Sequence, residues 1–238
     1  MALDALDRRS ESEVAWERVR ALSGTAGDTA GEIAALDGLA GVARRRGDLA
    51  TAVAYVEGAR ELAGATGDDA RTLAALNTLG VLYWESGDHE SALSRYREAR
   101  ALCETTNDRV HLGLILNSIG ATLLRLERFD EARAVLEKAV HTNHATEERR
   151  LEAHALAALG DSLMRCHRPT DARCAFEQSG ALRPLLGDRL GEGWMLERQA
   201  RALRAEGRGA EALAVADRAR AIAIELGDPL LSAAVEAL

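Results

Sequence analysis

Six short dipeptides recur at intervals of 40 residues: Gly27-Asp28, Gly67-Asp68, Asn107-Asp108, Glu147-Glu148, Gly187-Asp188 and Gly227-Asp228. Between them the chain keeps a register, with Leu36, Leu76, Leu116, Leu156 and Leu196 in one column and Ala52, Ala92, Ala132, Ala172 and Ala212 in another. A fixed period of roughly 20–50 residues marks a stacked array, in which each unit buries its apolar face only against its neighbours. The register runs unbroken through all 238 residues, so one elongated unit is expected.

Residues 68–107 show what one period encodes. Leu73, Leu76, Leu79 and Tyr83 follow helical spacing, and Gly87-Asp88 then interrupts it. Glycine suits the left-handed residue beyond a helix end, and aspartate can accept from the free N–H groups of the next helix. Ala92, Leu93, Tyr96, Ala99 and Leu102 resume the spacing until Asn107-Asp108. Each period therefore predicts two antiparallel helices, and the fold class is all-α: an α-solenoid of helix pairs. A further column of small residues, Ala40, Gly80, Gly120, Gly160 and Ala200, predicts close approach of the paired helix. A mid-helix glycine costs about 0.5–1 kcal/mol relative to alanine and needs that compensation.

Leu76-x-x-Leu79-Gly80-x-x-Tyr83 with Ala92-x-x-x-Tyr96 and Ala99 resembles the tetratricopeptide repeat, as does Leu156-x-x-Leu159-Gly160 with Ala172-x-x-x-Phe176 and Pro184. The usual period of about 34 residues is lengthened here by about six. Such longer units resemble those of kinesin light chain and Pins/LGN scaffolds, and those of bacterial regulators that sense peptides. The resemblance implies a right-handed superhelix whose concave groove is lined by the first helix of each pair. It also divides the chain into an N-terminal capping helix at 1–27, five helix pairs at 28–227 and a short C-terminal capping helix at 228–238. The alternative is that the chain is part of a longer array.

Bulk properties exclude several classes. The chain is 47% hydrophobic but 3% aromatic, which suits closely packed helices rather than an aromatic-lined pocket. A net charge of −8 argues against a nucleic-acid partner. Lys138 is the only lysine, so arginine carries the positive charge. Cys103, Cys166 and Cys174 are odd in number and predict reduced thiols. The N-terminus lacks a signal-peptide pattern, and no run approaches the ~18 apolar residues of a membrane span. A cytoplasmic protein without membrane contact is expected.

Under the implied groove, the inward stripe includes Asp37, Asn77, Asn117 and Glu197, then Asp161 and Arg201 one turn later, and Arg44, Trp84 and Arg204 beyond. Asn77 and Asn117 are candidates for holding an extended peptide backbone, since an amide both donates and accepts. Arg45, Arg125 and Arg165 recur in register and predict a row suited to acidic groups, though arginine at a helix C-terminus also complements the helix dipole. Trp84 is a candidate anchor or a packing residue; Trp16 and Trp194 are expected to fill space between helices. The lysine of the chaperone-binding carboxylate clamp is absent from the first helices. His141, His144, Cys166, His167 and Cys174 lack the paired spacing of a zinc site, and no phosphate loop, nucleophile elbow or His-Glu-x-x-His run occurs. Neither a cofactor nor catalysis is expected. The leading reading is an adaptor holding a protein or peptide partner, acidic groups included, in its groove. The alternative is a ligand- or peptide-sensing domain of a bacterial regulatory system. A third reading is self-association through terminal helices, where Leu230, Leu231, Val235 and Leu238 present apolar surface.

Overall fold

The computed structural model describes the backbone of residues 2–238 and the side chains from residue 11 onward. Contacts group the chain into two compact units, Met1–Asn107 and Asp108–Leu238, whose boundary falls on one of the repeated dipeptides. The first holds α1 (Ala2–Ala26), α2 (Thr29–Arg46), α3 (Leu49–Ala65), α4 (Asp69–Glu85) and α5 (His89–Thr106). The second holds α6 (Arg109–Arg125), α7 (Phe129–Ala145), α8 (Arg149–Arg165), α9 (Pro169–Leu182), a 3₁₀ turn (Pro184–Leu186), α10 (Arg189–Ala205), α11 (Gly209–Leu226) and α12 (Pro229–Glu236). The described residues form no strand. Within each unit every helix packs on the next in chain order, as in an α-solenoid of antiparallel pairs.

The turns explain the period, and its elementary step is 20 residues. Gly27, Gly47, Gly67, Gly87, Asn107, Glu127, Glu147, His167, Gly187, Gly207 and Gly227 all adopt positive φ. Each ends one helix, and the following residue starts the next. Where that residue is aspartate, as at Asp28, Asp48, Asp68, Asp88, Asp108, Asp188 and Asp228, its carboxylate accepts from a backbone N–H three residues on. Glu148 occupies the same place with no such bond. Rewriting Glu147-Glu148 as Gly-Asp should therefore stabilise the second unit. Relief of a left-handed glutamate and a restored cap are each worth up to about 1 kcal/mol. The sum, about 1–2 kcal/mol, corresponds to a melting temperature raised by roughly 2–8 °C, read by differential scanning calorimetry.

The core is built from matched pairs of side chains 16 residues apart. A Cβ added at Gly80 would lie 2.3 Å from the Tyr96 ring, at Gly120 2.4 Å from Leu136, and at Gly160 2.3 Å from the Phe176 ring. Where the partner is smaller, at Val56 and Ala216, the column carries Ala40 and Ala200 instead. Volume on one helix is thus balanced by its absence on the other, as native packing density requires. Ala52, Ala92, Ala132 and Ala172 are fully buried, and Leu36, Leu76, Leu116, Leu156 and Leu196 nearly so.

In the second unit α6 touches α8 and α10 touches α12, which puts the first helices of the pairs along one inner side. α8 and α10 stand farther apart. Two features coincide with that gap. Pro184 offers no N–H to continue α9, which stops at Leu182. Arg183 also holds the buried position filled by Ala63, Cys103, Asn143 and Ala223 in the other pairs, and it is by far the longest of them.

Candidate functional site

The gap is the mouth of a cleft of about 600 Å³ that lies wholly in the second unit. Its walls come from three first helices at equivalent turns. α6 supplies Leu114, Asn117, Ser118 and Ala121; α8 supplies Leu151, His154, Ala157, Ala158 and Asp161; α10 supplies Gly191, Trp194, Met195 and Arg198. Leu136 on α7 and Arg183, just past the end of α9, complete it. These positions fall three or four residues apart, so one face of each helix is presented. The result is an apolar surface with a few polar groups converging on it, the usual make-up of a binding cleft.

Asn117 lies in this cleft, and part of its amide is already engaged. Its Nδ2 donates to the Leu151 carbonyl at 2.8 Å, and its Oδ1 accepts from Nδ2 of buried Asn143 at 3.2 Å. Gly113 leaves room for Asn143, whose Oδ1 would lie 2.0 Å from a Cβ at that position. The Asn pair therefore ties α6 and α7 to α8. An amide has two N–H bonds and two carbonyl lone pairs, so Asn117 keeps one of each.

Charge on the cleft wall is largely paired. Arg198 donates through Nη1 to Asp161 Oδ2 at 2.8 Å, and its guanidinium stacks 5.9 Å from the Phe176 ring centroid. Burial pushes the Asp161 carboxyl above its usual range; Arg198 opposes the rise and Glu197 adds to it. Arg183 Nη1 donates to Asp188 Oδ2 at 2.5 Å. Burial lowers the His154 pKa, with Arg183 and Arg150 adding to the fall and Asp188 opposing it. Burial would raise the Asp188 carboxyl, but the Arg183 and Gly191 N–H bonds bring it below the usual range.

Other residues singled out in the sequence lie elsewhere. Arg201 is ion-paired with Glu197, whose side chain is buried, and stands outside the cleft walls. Arg125 and Arg165 are exposed and also outside it. Arg165 sits 4.5 Å over the Phe129 ring and 3.8 Å from Glu127, because that turn brings an aromatic face and a carboxylate beneath it. In the first unit Asn77 is half-buried on α4, Arg45 is exposed near Gly41, and Trp84 is 41% exposed with its ring 5.9 Å from that of His89. Trp16 fills space as expected, its indole seated against Gly38. Trp194 does more than that: it packs against the cores on both sides of α10 and also lines the cleft.

The ionisable and aromatic cleft residues His154, Trp194, Arg198 and Arg183 are absent from the sequence-based site candidates. The first three occupy the columns three before and one after the Asn77/Asn117 column, which share its helical face. Arg183 breaks a buried small-residue column, a signal present in the sequence. No group of three or more His, Cys, Asp and Glu side chains among the described residues is placed to hold a metal ion. No helix among them is long and apolar enough to cross a membrane.

Residues 32–105 and 112–146 match the tetratricopeptide repeat family. No curated protein matches the sequence. Among solved structures, BtubC (BKLC) from P. vanneervenii is similar with a TM-score of 0.82 at 19% identity, over 96% of this chain and 93% of that one. A P. anserina putative kinesin light chain with nearly identical TPR-like repeats gives 0.69 at 19% identity, over 82% and 96%. The Rap conjugation gene regulator of plasmid pLS20, in complex with the Phr* peptide, gives 0.63 at 15% identity, over 90% of this chain and 59% of the regulator. At these identities the likeness is one of fold.

Proposed function

We propose that this chain, a tetratricopeptide-repeat protein, is a cytoplasmic adaptor without catalysis of its own that holds a peptide segment in the cleft between α6, α8 and α10. The carrying observation is the cleft itself, with an apolar floor and polar side chains arriving from three helices in register. Leu151, Ala157 and Met195 offer apolar contact, and Trp194 offers the broad surface typical of a binding anchor. Asn117, Ser118 and His154 offer donors and acceptors to a backbone. The fold supports an interaction role, and the pLS20 regulator holds its Phr* peptide on a related fold.

Selection of binders from a random peptide library, followed by calorimetry, tests this reading. Ala121 is exposed on the cleft wall, so Ala121→Trp should fill the cleft while leaving stability within about 0.5 kcal/mol. Affinity for a selected peptide should fall at least about tenfold, a loss of about 1.4 kcal/mol. Unchanged affinity in the folded variant would sink the proposal.

A further inference from the structure

Arg183 is 8% exposed and lines the cleft, and its buried Nε has no hydrogen-bond partner. Its Nη1 is held by Asp188, and a Cβ at Gly191 would lie 2.8 Å from that same nitrogen. The guanidinium is thus clamped between the first turn of α10 and the end of α9, with an N–H left over. A buried guanidinium with a donor unmatched is costly, and an anion on its cleft side offsets part of that cost through charge. His154 stands beside it on the α8 wall, and the Trp194 indole is on the α10 wall.

We infer that the Arg183 end of the cleft is a subsite for one carboxylate of the bound peptide, with the Arg183 guanidinium as the charged donor, His154 as a ring N–H donor and Trp194 as the wall for the adjoining apolar side chain. This rests on the peptide reading above and adds the chemistry of one ligand group. A carboxylate fits better than a phosphate. Arginine pairs with a planar carboxylate through one edge of its fork. A phosphate monoester carries a charge of about −1.5 to −2, and Asp188 and Asp161 already face the only two cleft arginines. The carboxylate could come from a chain terminus or an acidic side chain.

The probes are N-acetyl-leucine, its neutral amide, N-acetyl-aspartic acid N-methylamide and inorganic phosphate, titrated into the full chain. Proton–nitrogen NMR reads the Gly191 amide and the Trp194 indole. One or both carboxylates should bind at least about tenfold more tightly than the neutral amide, as expected of a hydrogen bond to a charged group. The tighter of the two assigns the source. Arg183→Gln should abolish the difference between acid and amide. Equal binding of acid and amide, the absence of any acid-specific shift, a preference for phosphate, or a difference that survives Arg183→Gln would each overturn the inference. The wild-type comparison stands even where that variant fails to fold. A selected peptide whose affinity still depends on Ala121 would leave the adaptor reading standing while this subsite falls.

Discussion

Phe176→Ala is expected to destabilise the second unit by about 3–5 kcal/mol, and the same change should turn Gly160→Ala from harmful to helpful. Phe176 is buried in the core between α8 and α9, with Ala157, Leu163 and Ala172 around it. A methyl at Gly160 would fall 2.3 Å from its ring, so Gly160→Ala alone should cost about 1–3 kcal/mol through overpacking. Once the ring is gone, that methyl has room, and alanine gains up to about 1 kcal/mol over glycine within a helix. The double variant should therefore be more stable than the sum of the singles by roughly 1–3 kcal/mol. Urea unfolding of the four chains measures this coupling. Additivity within about 0.5 kcal/mol would mean that the two residues do not share the space.

The second large effect concerns Glu197, whose carboxylate is buried at 2% exposure and held by Arg201 one turn later. Arg201→Ala leaves that charge without its partner, and a broken buried pair costs about 3–5 kcal/mol. Arg201 is itself more than half exposed, so water reaches the pair and the loss should come at about 2–3 kcal/mol. Glu197→Gln keeps the shape and removes the charge, so it should cost less than about 1 kcal/mol. Combined, Glu197→Gln should rescue most of the Arg201→Ala loss. Equal, additive losses in denaturant midpoints would show that the pair acts as two independent surface charges.

The fold was legible because every pair meets the same physical demand. A turn residue at positive φ, a short capping carboxylate and a small residue facing a large one recur, and the sequence repeats with them. Even the exceptions are readable: Ala40 and Ala200 replace glycine where Val56 and Ala216 replace larger partners. The cleft was less legible because its residues differ in kind from pair to pair. Leu114, His154 and Trp194 share a column with no common chemistry, so no motif announces them. Asn117 is a sequence candidate that lines the cleft, but its bond to the Leu151 carbonyl depends on the spacing of α6 and α8, which a single-helix pattern does not carry. Arg45, Arg125 and Arg165 share a register in the sequence, but Phe129 and Glu127 beneath Arg165 belong to a turn of its neighbour. Arg183 could have been noticed, since an arginine among Ala63, Cys103, Asn143 and Ala223 breaks a buried column.

The central claim is that ligand enters between α6, α8 and α10, and mapping a selected peptide tests it most directly. Proton–nitrogen NMR of the full chain with that peptide should shift the Ser118, Ala158, Gly191 and Arg198 amides and the Trp194 indole, with the same shifts lost in Ala121→Trp. Shifts confined to the outer helices α7, α9 and α11, or preserved in Ala121→Trp, would contradict the account.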